Sequence, residues 1–139
     1  LRKRLKEKLA LQAEQFNQVY NSFDIIGDIA IVKTPPNSSA DMDAIAKQIM
    51  QVHKNIKTVF VQTSAIGGDF RIRELRLLAG ENNTATRYKE SGCIFAVDVE
   101  KCYFSPRLSH ERARIARIVK AGEVVVNMFS GVGCFSVII

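Results

Sequence analysis

The sequence is short of three things, and each shortage narrows what it can be. Cysteine appears only at Cys93, Cys102 and Cys134, an odd count with no C-x-x-C pair. That excludes a self-contained disulfide framework and a zinc site of the usual spacing, so no metal is expected and a reducing compartment is. Apolar residues never run on for the roughly 18 positions that a membrane-spanning helix needs, and the basic N-terminus is not followed by a continuous apolar core of the signal-peptide kind. A cytoplasmic protein with no membrane partner is expected. Acidic side chains are the third shortage, with 14 Asp and Glu against 20 Lys and Arg and a formal net charge of +6. Five of the first eight residues are basic, namely Arg2, Lys3, Arg4, Lys6 and Lys8. The imbalance favours a polyanionic partner, although a solvated helix face accounts equally well for the N-terminal run taken alone.

What is present suffices for one core. With 139 residues, 47% of them hydrophobic, the chain can complete one domain, and a second would be fragmentary. Leu5, Leu9, Ala13, Phe16 and Tyr20 recur at helical spacing and predict an amphipathic linker helix within residues 1–21. Residues 23–33 switch to strand chemistry around a turn at Gly27-Asp28. Pro35-Pro36 ends that pair, and Ser38 with Asp41 three residues on offers a capping box for a helix over 40–54 with Met42, Ile45, Ile49 and Val52 on one face. A strand over 58–62, a loop, and a strand from Phe70 follow, the last changing phase near Arg73-Glu74 as a bulge would require. Turns at Gly80–Asn83 and Ser91-Gly92 bracket a strand over 84–90, and 93–99 completes a meander. Residues 22–104 therefore read as an α+β domain, a mixed or antiparallel sheet with a helix.

Beyond it, Leu108, Ile115, Ala116 and Val119 predict a helix over 107–120, and Val124-Val125-Val126 reads as a buried parallel strand within 123–129. Gly131-x-Gly133-x-x-Ser136 then matches a dinucleotide-binding turn except that Ser136 stands at the third glycine. Residues 105–139 are expected to open a doubly wound, Rossmann-like domain, with 130–139 lacking a sheet to cover and so poorly packed. The charged residues that a packing argument does not call for are Arg71, Arg73, Glu74, Arg107 and the pair Glu111-Arg112.

These pieces occur in a recognisable order. Ser22-Phe23-Asp24-Ile25-Ile26-Gly27-Asp28-Ile29-Ala30, Phe70-Arg71-Ile72-Arg73-Glu74-Leu75, Leu78-Ala79-Gly80-Glu81-Asn82, the run from Tyr103 to Ile115, and Asn127-Met128-Phe129-Ser130-Gly131-Val132-Gly133 together resemble the archaeal and eukaryotic tRNA (guanine-N1)-methyltransferases that modify guanosine 37, beside the anticodon. The likeness covers about residues 22–139. It departs at Asn127, where the family usually has Asp, and at Cys134, where it usually has Pro.

The resemblance implies S-adenosylmethionine as cofactor and the anticodon-loop region of tRNA as partner; a monomer is expected. It assigns Glu111 as the base that takes the N1 proton, Arg71 as the guanidinium that stabilises charge growing on O6, and Tyr103 as the residue that keeps them in register. It sets Arg112 against the cofactor, with Phe129, Gly131 and Gly133 in the loop that approaches it. The later Asn-Leu-Pro-type motif of such enzymes is missing from these residues, so this piece is not expected to methylate by itself. Two other readings stand beside this one. A wybutosine-pathway aminocarboxypropyltransferase resembles it in fold and cofactor, but a base poised for N1–H has a use only in N1 methylation. A non-catalytic RNA-binding module would bind no S-adenosylmethionine.

Overall fold

The computed structural model describes residues 23–33, 41–64 and 73–139. The expected N-terminal helix, Ser38 and Arg71 lie outside them. Six strands are described, β1 (Phe23–Ile26), β2 (Ile29–Lys33), β3 (Thr58–Gln62), β4 (Leu75–Gly80), β5 (Ala85–Glu90) and β6 (Cys93–Asp98). The helices are α1 (Met42–Val52), a 3-10 turn (Pro106–Leu108), α2 (Ser109–Ile118) and α3 (Cys134–Ile138).

A four-stranded sheet runs in the order β1-β2-β3-β4. β1 and β2 form an antiparallel hairpin, β2 and β3 are parallel with α1 as the crossover, and β4 returns antiparallel to β3. Asp41 caps α1 by accepting a hydrogen bond from the Ala44 N–H at 3.0 Å. The cap is therefore one turn later than a box opened by Ser38 would put it. Alternation along the strands gives the sheet two apolar faces. Ala30, Val32 and Val59 meet Ile45, Ala46 and Ile49 of α1, with Ile56 closing the end; each buried isoleucine contributes about 1.5–3 kcal/mol. Ile29, Ile31 and Phe60 look the other way, into a cluster with Phe95, Val97, Val99 and Phe104.

That second cluster changes the topology expected from the sequence. β5 and β6 do not continue the sheet as a meander; they form a separate two-stranded hairpin laid on its face. Ser91 (φ 51°) and Gly92 (φ 78°) make the tight turn between them. The two layers touch closely at the β1–β2 turn, where a side chain on Gly27 would begin 2.1 Å from Thr86 Oγ1. Thr86 Oγ1 accepts from the Asp28 N–H at 3.2 Å and donates to Asp28 Oδ1 at 2.6 Å. The expected bulge is also displaced. Arg73 and Glu74 precede β4, and the register slips between Val59 and Phe60, which turns Ala79 towards the α1 side while Leu75 and Leu77 face the hairpin.

The C-terminal part departs further. Residues 123–129 join no ladder among the described residues, and Val124 is 93% exposed. A parallel strand needs a neighbour for its N–H and C=O groups, and none of the described strands runs beside it. Of residues 130–139, Cys134 is buried in the core cluster, with Val132 and Ile138 partly buried against that cluster, while Phe135 is half-buried and Ser136, Val137 and Ile139 are exposed.

Candidate active site

Residues 103–112 form the seam between the layers. Phe104 is buried and stacks edge-on against Tyr88 of the hairpin, ring centroids 4.8 Å apart. The backbone on either side of the ring is held by arginines. Arg73 Nη2 donates to the Phe104 carbonyl at 3.1 Å, and Arg112 donates from Nη1 and Nη2 to the Ser105 carbonyl, each at 3.3 Å. Pro106 then starts the 3-10 turn that delivers the chain into α2.

On α2, consecutive residues have opposite surroundings. Arg112 points inward and is 3% exposed. Its guanidinium grips Glu90 in a two-pronged pair, Nε to Oε1 and Nη2 to Oε2 both at 2.6 Å, and lies over the Phe104 ring. The Arg112 hydrogen bonds pull the Glu90 carboxyl below its ordinary value, and Glu90 in turn raises Arg112. Tyr88 is pushed up by burial and by the Glu90 charge beside it. Glu111 points outward. Arg114 one turn on donates to its two oxygens at 2.7 and 2.8 Å, which holds the Glu111 carboxyl below the usual range. It is an ionised, accessible acceptor at neutral pH. Tyr103, 38% exposed, sits at the start of the same stretch.

A second charge centre lies at the other end of the seam. Asp24 of β1 is 5% exposed, and its carboxylate takes Arg107 Nε at 2.8 Å, Lys33 Nζ at 3.8 Å and Arg73 Nη1 at 3.9 Å. Arg73 and Arg112, which packing was not expected to call for, are thus among the buried charges of the core. Asp24 and Glu90 escaped the sequence reading, although strand alternation puts Asp24 on the same face as Ile26, and Glu90 with Thr86 and Tyr88.

The glycine loop follows. The Asn127 side chain accepts from the Phe129 N–H at 3.3 Å and donates to Ser136 Oγ at 2.9 Å, tying the two arms together. The Gly133 N–H closes a turn on the Ser130 carbonyl at 2.8 Å. Gly131 (φ 53°) and Gly133 (φ 81°) adopt the left-handed conformation that favours glycine, and nothing lies within 4 Å of where a Gly131 side chain would begin. The loop backbone is open to close approach. The Phe129 ring is 89% exposed and belongs to no core cluster. Arg112 lies over Phe104, which shares a core cluster with Cys134, the first residue of α3.

Comparison with known proteins gives the family. Residues 86–139 match the TRM5/TYW2 methyltransferase domain, and residues 1–84 match the TYW2 N-terminal domain. The chain belongs to the TRM5/TYW2 methyltransferase family. It is similar to the tRNA (guanine(37)-N(1))-methyltransferase Trm5b of Pyrococcus abyssi, with 48% identity over 118 residues that make up 85% of this chain and 36% of the relative. Among solved structures it resembles aTrm5 in complex with tRNALeu, at 37% identity and a TM-score of 0.82 over 99% of this chain and 41% of that one. It also resembles Pyrococcus horikoshii TYW2 in complex with MeSAdo, at 31% identity and a TM-score of 0.69 over 99% of this chain and 48% of that one. The chain thus spans less than half the length of each of these relatives.

Proposed function

We propose that this chain is part of an enzyme that transfers a methyl group from S-adenosylmethionine to N1 of guanosine 37 in tRNA. The observation that carries the reading is the seam itself. One buried frame, Glu90–Arg112 with Arg73 on the Phe104 carbonyl, holds Tyr103 and Glu111 on a single rigid stretch that leads into an open glycine loop. Support for the reading also comes from the name of the Pyrococcus abyssi relative, a tRNA (guanine(37)-N(1))-methyltransferase, and from the complex of aTrm5 with tRNALeu.

The loop fits the cofactor in one respect that can be tested on the chain: its backbone at Gly131 is bare and faces open space. Gly131 and Gly133 would hold S-adenosylmethionine, with Phe129 and Arg112 on the cofactor side. When bound, the cofactor supplies a methyl group that is open to nucleophilic attack. The remaining work falls to this chain. Glu111 accepts the N1 proton, and its partner Arg114 does not forbid this, because an exposed pair three residues apart on a helix is weak and easily opened. Arg71 stabilises negative charge on O6, and Tyr103 holds the base in register. Residues 105–139 open a Rossmann-like domain in this reading, and Val124-Val125-Val126 becomes a paired strand when a neighbouring strand is supplied.

The aminocarboxypropyl transfer associated with wybutosine synthesis remains the rival within the fold, and Glu111 discriminates, since that chemistry requires no N1 proton acceptor. The test is single-turnover methyl transfer to a tRNA transcript, measured with the complete enzyme across a pH series. Glu111→Gln should slow the chemical step by about 10²-fold while tRNA and cofactor affinities change little, and Arg71→Ala should slow it by a similar factor. Normal rates for Glu111→Gln, or a loss traced wholly to tRNA binding, would return Glu111 to an ordinary surface charge.

A further inference from the structure

Glu111 can take the N1 proton only if α2 is held at one rotation about its own axis. A group about 5–6 Å from a helix axis moves about 1 Å when the helix turns by about 10°, and a misplacement of about 1 Å can cost on the order of 10²-fold in rate. An apolar face is the usual anchor for a helix, and α2 has little of one here. Arg112 alone is buried among its ten residues, and Ile118 is 56% exposed. What Arg112 holds therefore decides the rotation. Its bonds to the Ser105 carbonyl, both at 3.3 Å, close the 105–112 stretch on itself. Its bonds to Glu90, both at 2.6 Å, reach across to the last residue of β5, at the tip of the hairpin that packs on the sheet. The Arg107–Asp24 pair grips the 3-10 turn before α2 and not the helix itself. The Glu90 and Arg112 side chains are 8% and 4% exposed, too enclosed to meet a tRNA base.

We infer that Glu90, acting through Arg112, is a positioning residue for the transfer reaction: it sets the rotation of α2 and so aims Glu111 at the proton it accepts. The inference rests on the catalytic reading of Glu111. Neighbours on a helix stand about 100° apart around its axis, so turning Arg112 into the core turns Glu111 out of it. The two-pronged pair suits this task because two parallel bonds between planar groups fix direction as well as distance, which a single contact to an ammonium does not. The carboxylate itself is carried on a strand, where its own position is fixed by the ladder to β6.

The test uses the complete methyltransferase and reads single-turnover rate separately from tRNA and S-adenosylmethionine affinity. Glu90→Gln keeps the shape but puts an N–H donor in place of one accepting oxygen, and a guanidinium has no acceptor to meet it. It should slow methyl transfer about tenfold with both affinities within about twofold. Glu90→Asp keeps the charge on a shorter arm and should lose only about threefold. In a Glu111→Gln background, Glu90→Gln should cost less than about twofold more, since the group being aimed can no longer take a proton. An equal tenfold loss in both backgrounds would make Glu90 merely structural and overturn the inference. So would a normal rate for Glu90→Gln in an enzyme that Glu111→Gln does slow, or a loss found wholly in S-adenosylmethionine affinity, which would put the pair at work on the cofactor. A normal rate for Glu111→Gln overturns the catalytic reading itself, and the inference with it. If Glu90→Gln does not fold, Glu90→Asp carries the test: a threefold loss muted by Glu111→Gln sustains the inference, and no loss, or an unmuted one, overturns it.

Discussion

Val59-Phe60-Val61 and Val124-Val125-Val126 are written in the same β-branched, apolar chemistry, yet they end in opposite places. The first is the middle of β3, with β2 parallel on one side and β4 antiparallel on the other, and Val59 is 0% exposed. The second pairs with no described strand, and Val126 is 78% exposed. Stiff side chains favour an extended backbone in both. What separates them is the supply of neighbours: only β3 has a ladder on each edge and an apolar layer on each face. A β-branched run is therefore a statement of what a segment can join, and the remainder of the fold decides whether it joins anything.

The largest effect should come from breaking the packed member. Phe60 is buried between the sheet and the β5–β6 hairpin, so Phe60→Ala removes a ring whose place cannot easily be refilled. A loss of about 4 kcal/mol is expected, seen as a lower urea midpoint for this chain. A loss below about 1 kcal/mol would mean that the hairpin does not pack on the sheet as described.

Much of the packed region was legible because its signals are local. Apolar spacing placed α1, alternation and β-branching placed β3, and Ser91-Gly92 placed the hairpin turn. The meander failed because alternation names the buried face of a strand and not the sheet that covers it; β5 and β6 bury theirs across the layer from β3. The site was legible in part for a related reason. Tyr103, Glu111 and the glycine loop stand on continuous stretches whose order carries the resemblance. Asp24 and Glu90 did not stand out because each is an ordinary acid in its own strand. Their importance arises from Arg107 and Arg112, which lie 83 and 22 residues away.

The joint between the two regions gives the next effect. Glu90 and Arg112 tie α2, the last packed element before the exposed segment, to the hairpin, with side chains 8% and 4% exposed. Glu90→Gln leaves a buried guanidinium short of its counter-charge and should cost about 3 kcal/mol at neutral pH. Acid should do the same to the native protein. The Glu90 carboxyl is held low when folded, so its contribution is fully present above the unfolded carboxylate value of about 4.3 and is lost as pH falls below that through the folded value. The gap between native and Glu90→Gln midpoints should accordingly close below about pH 4. A gap that stays constant with pH would show that the pair contributes shape and not charge.

The smallest effect is the one that separates the two valine runs most sharply. Val125→Thr is nearly isosteric, so it changes little except that a hydroxyl replaces a methyl. In this chain Val125 is 46% exposed, where such a hydroxyl finds water, and the change should stay within about 0.5 kcal/mol. In the complete methyltransferase proposed above, the same residue becomes the middle of a strand covered on both faces. The hydroxyl is then buried beside apolar groups, and a loss of about 1–3 kcal/mol is expected. Denaturant midpoints of the two proteins, each with and without Val125→Thr, make the comparison directly. Neutrality in both would mean that the segment stays outside any sheet even when the remaining chain is present. An equal loss in both would mean that the run already has its neighbours here, contrary to its exposure.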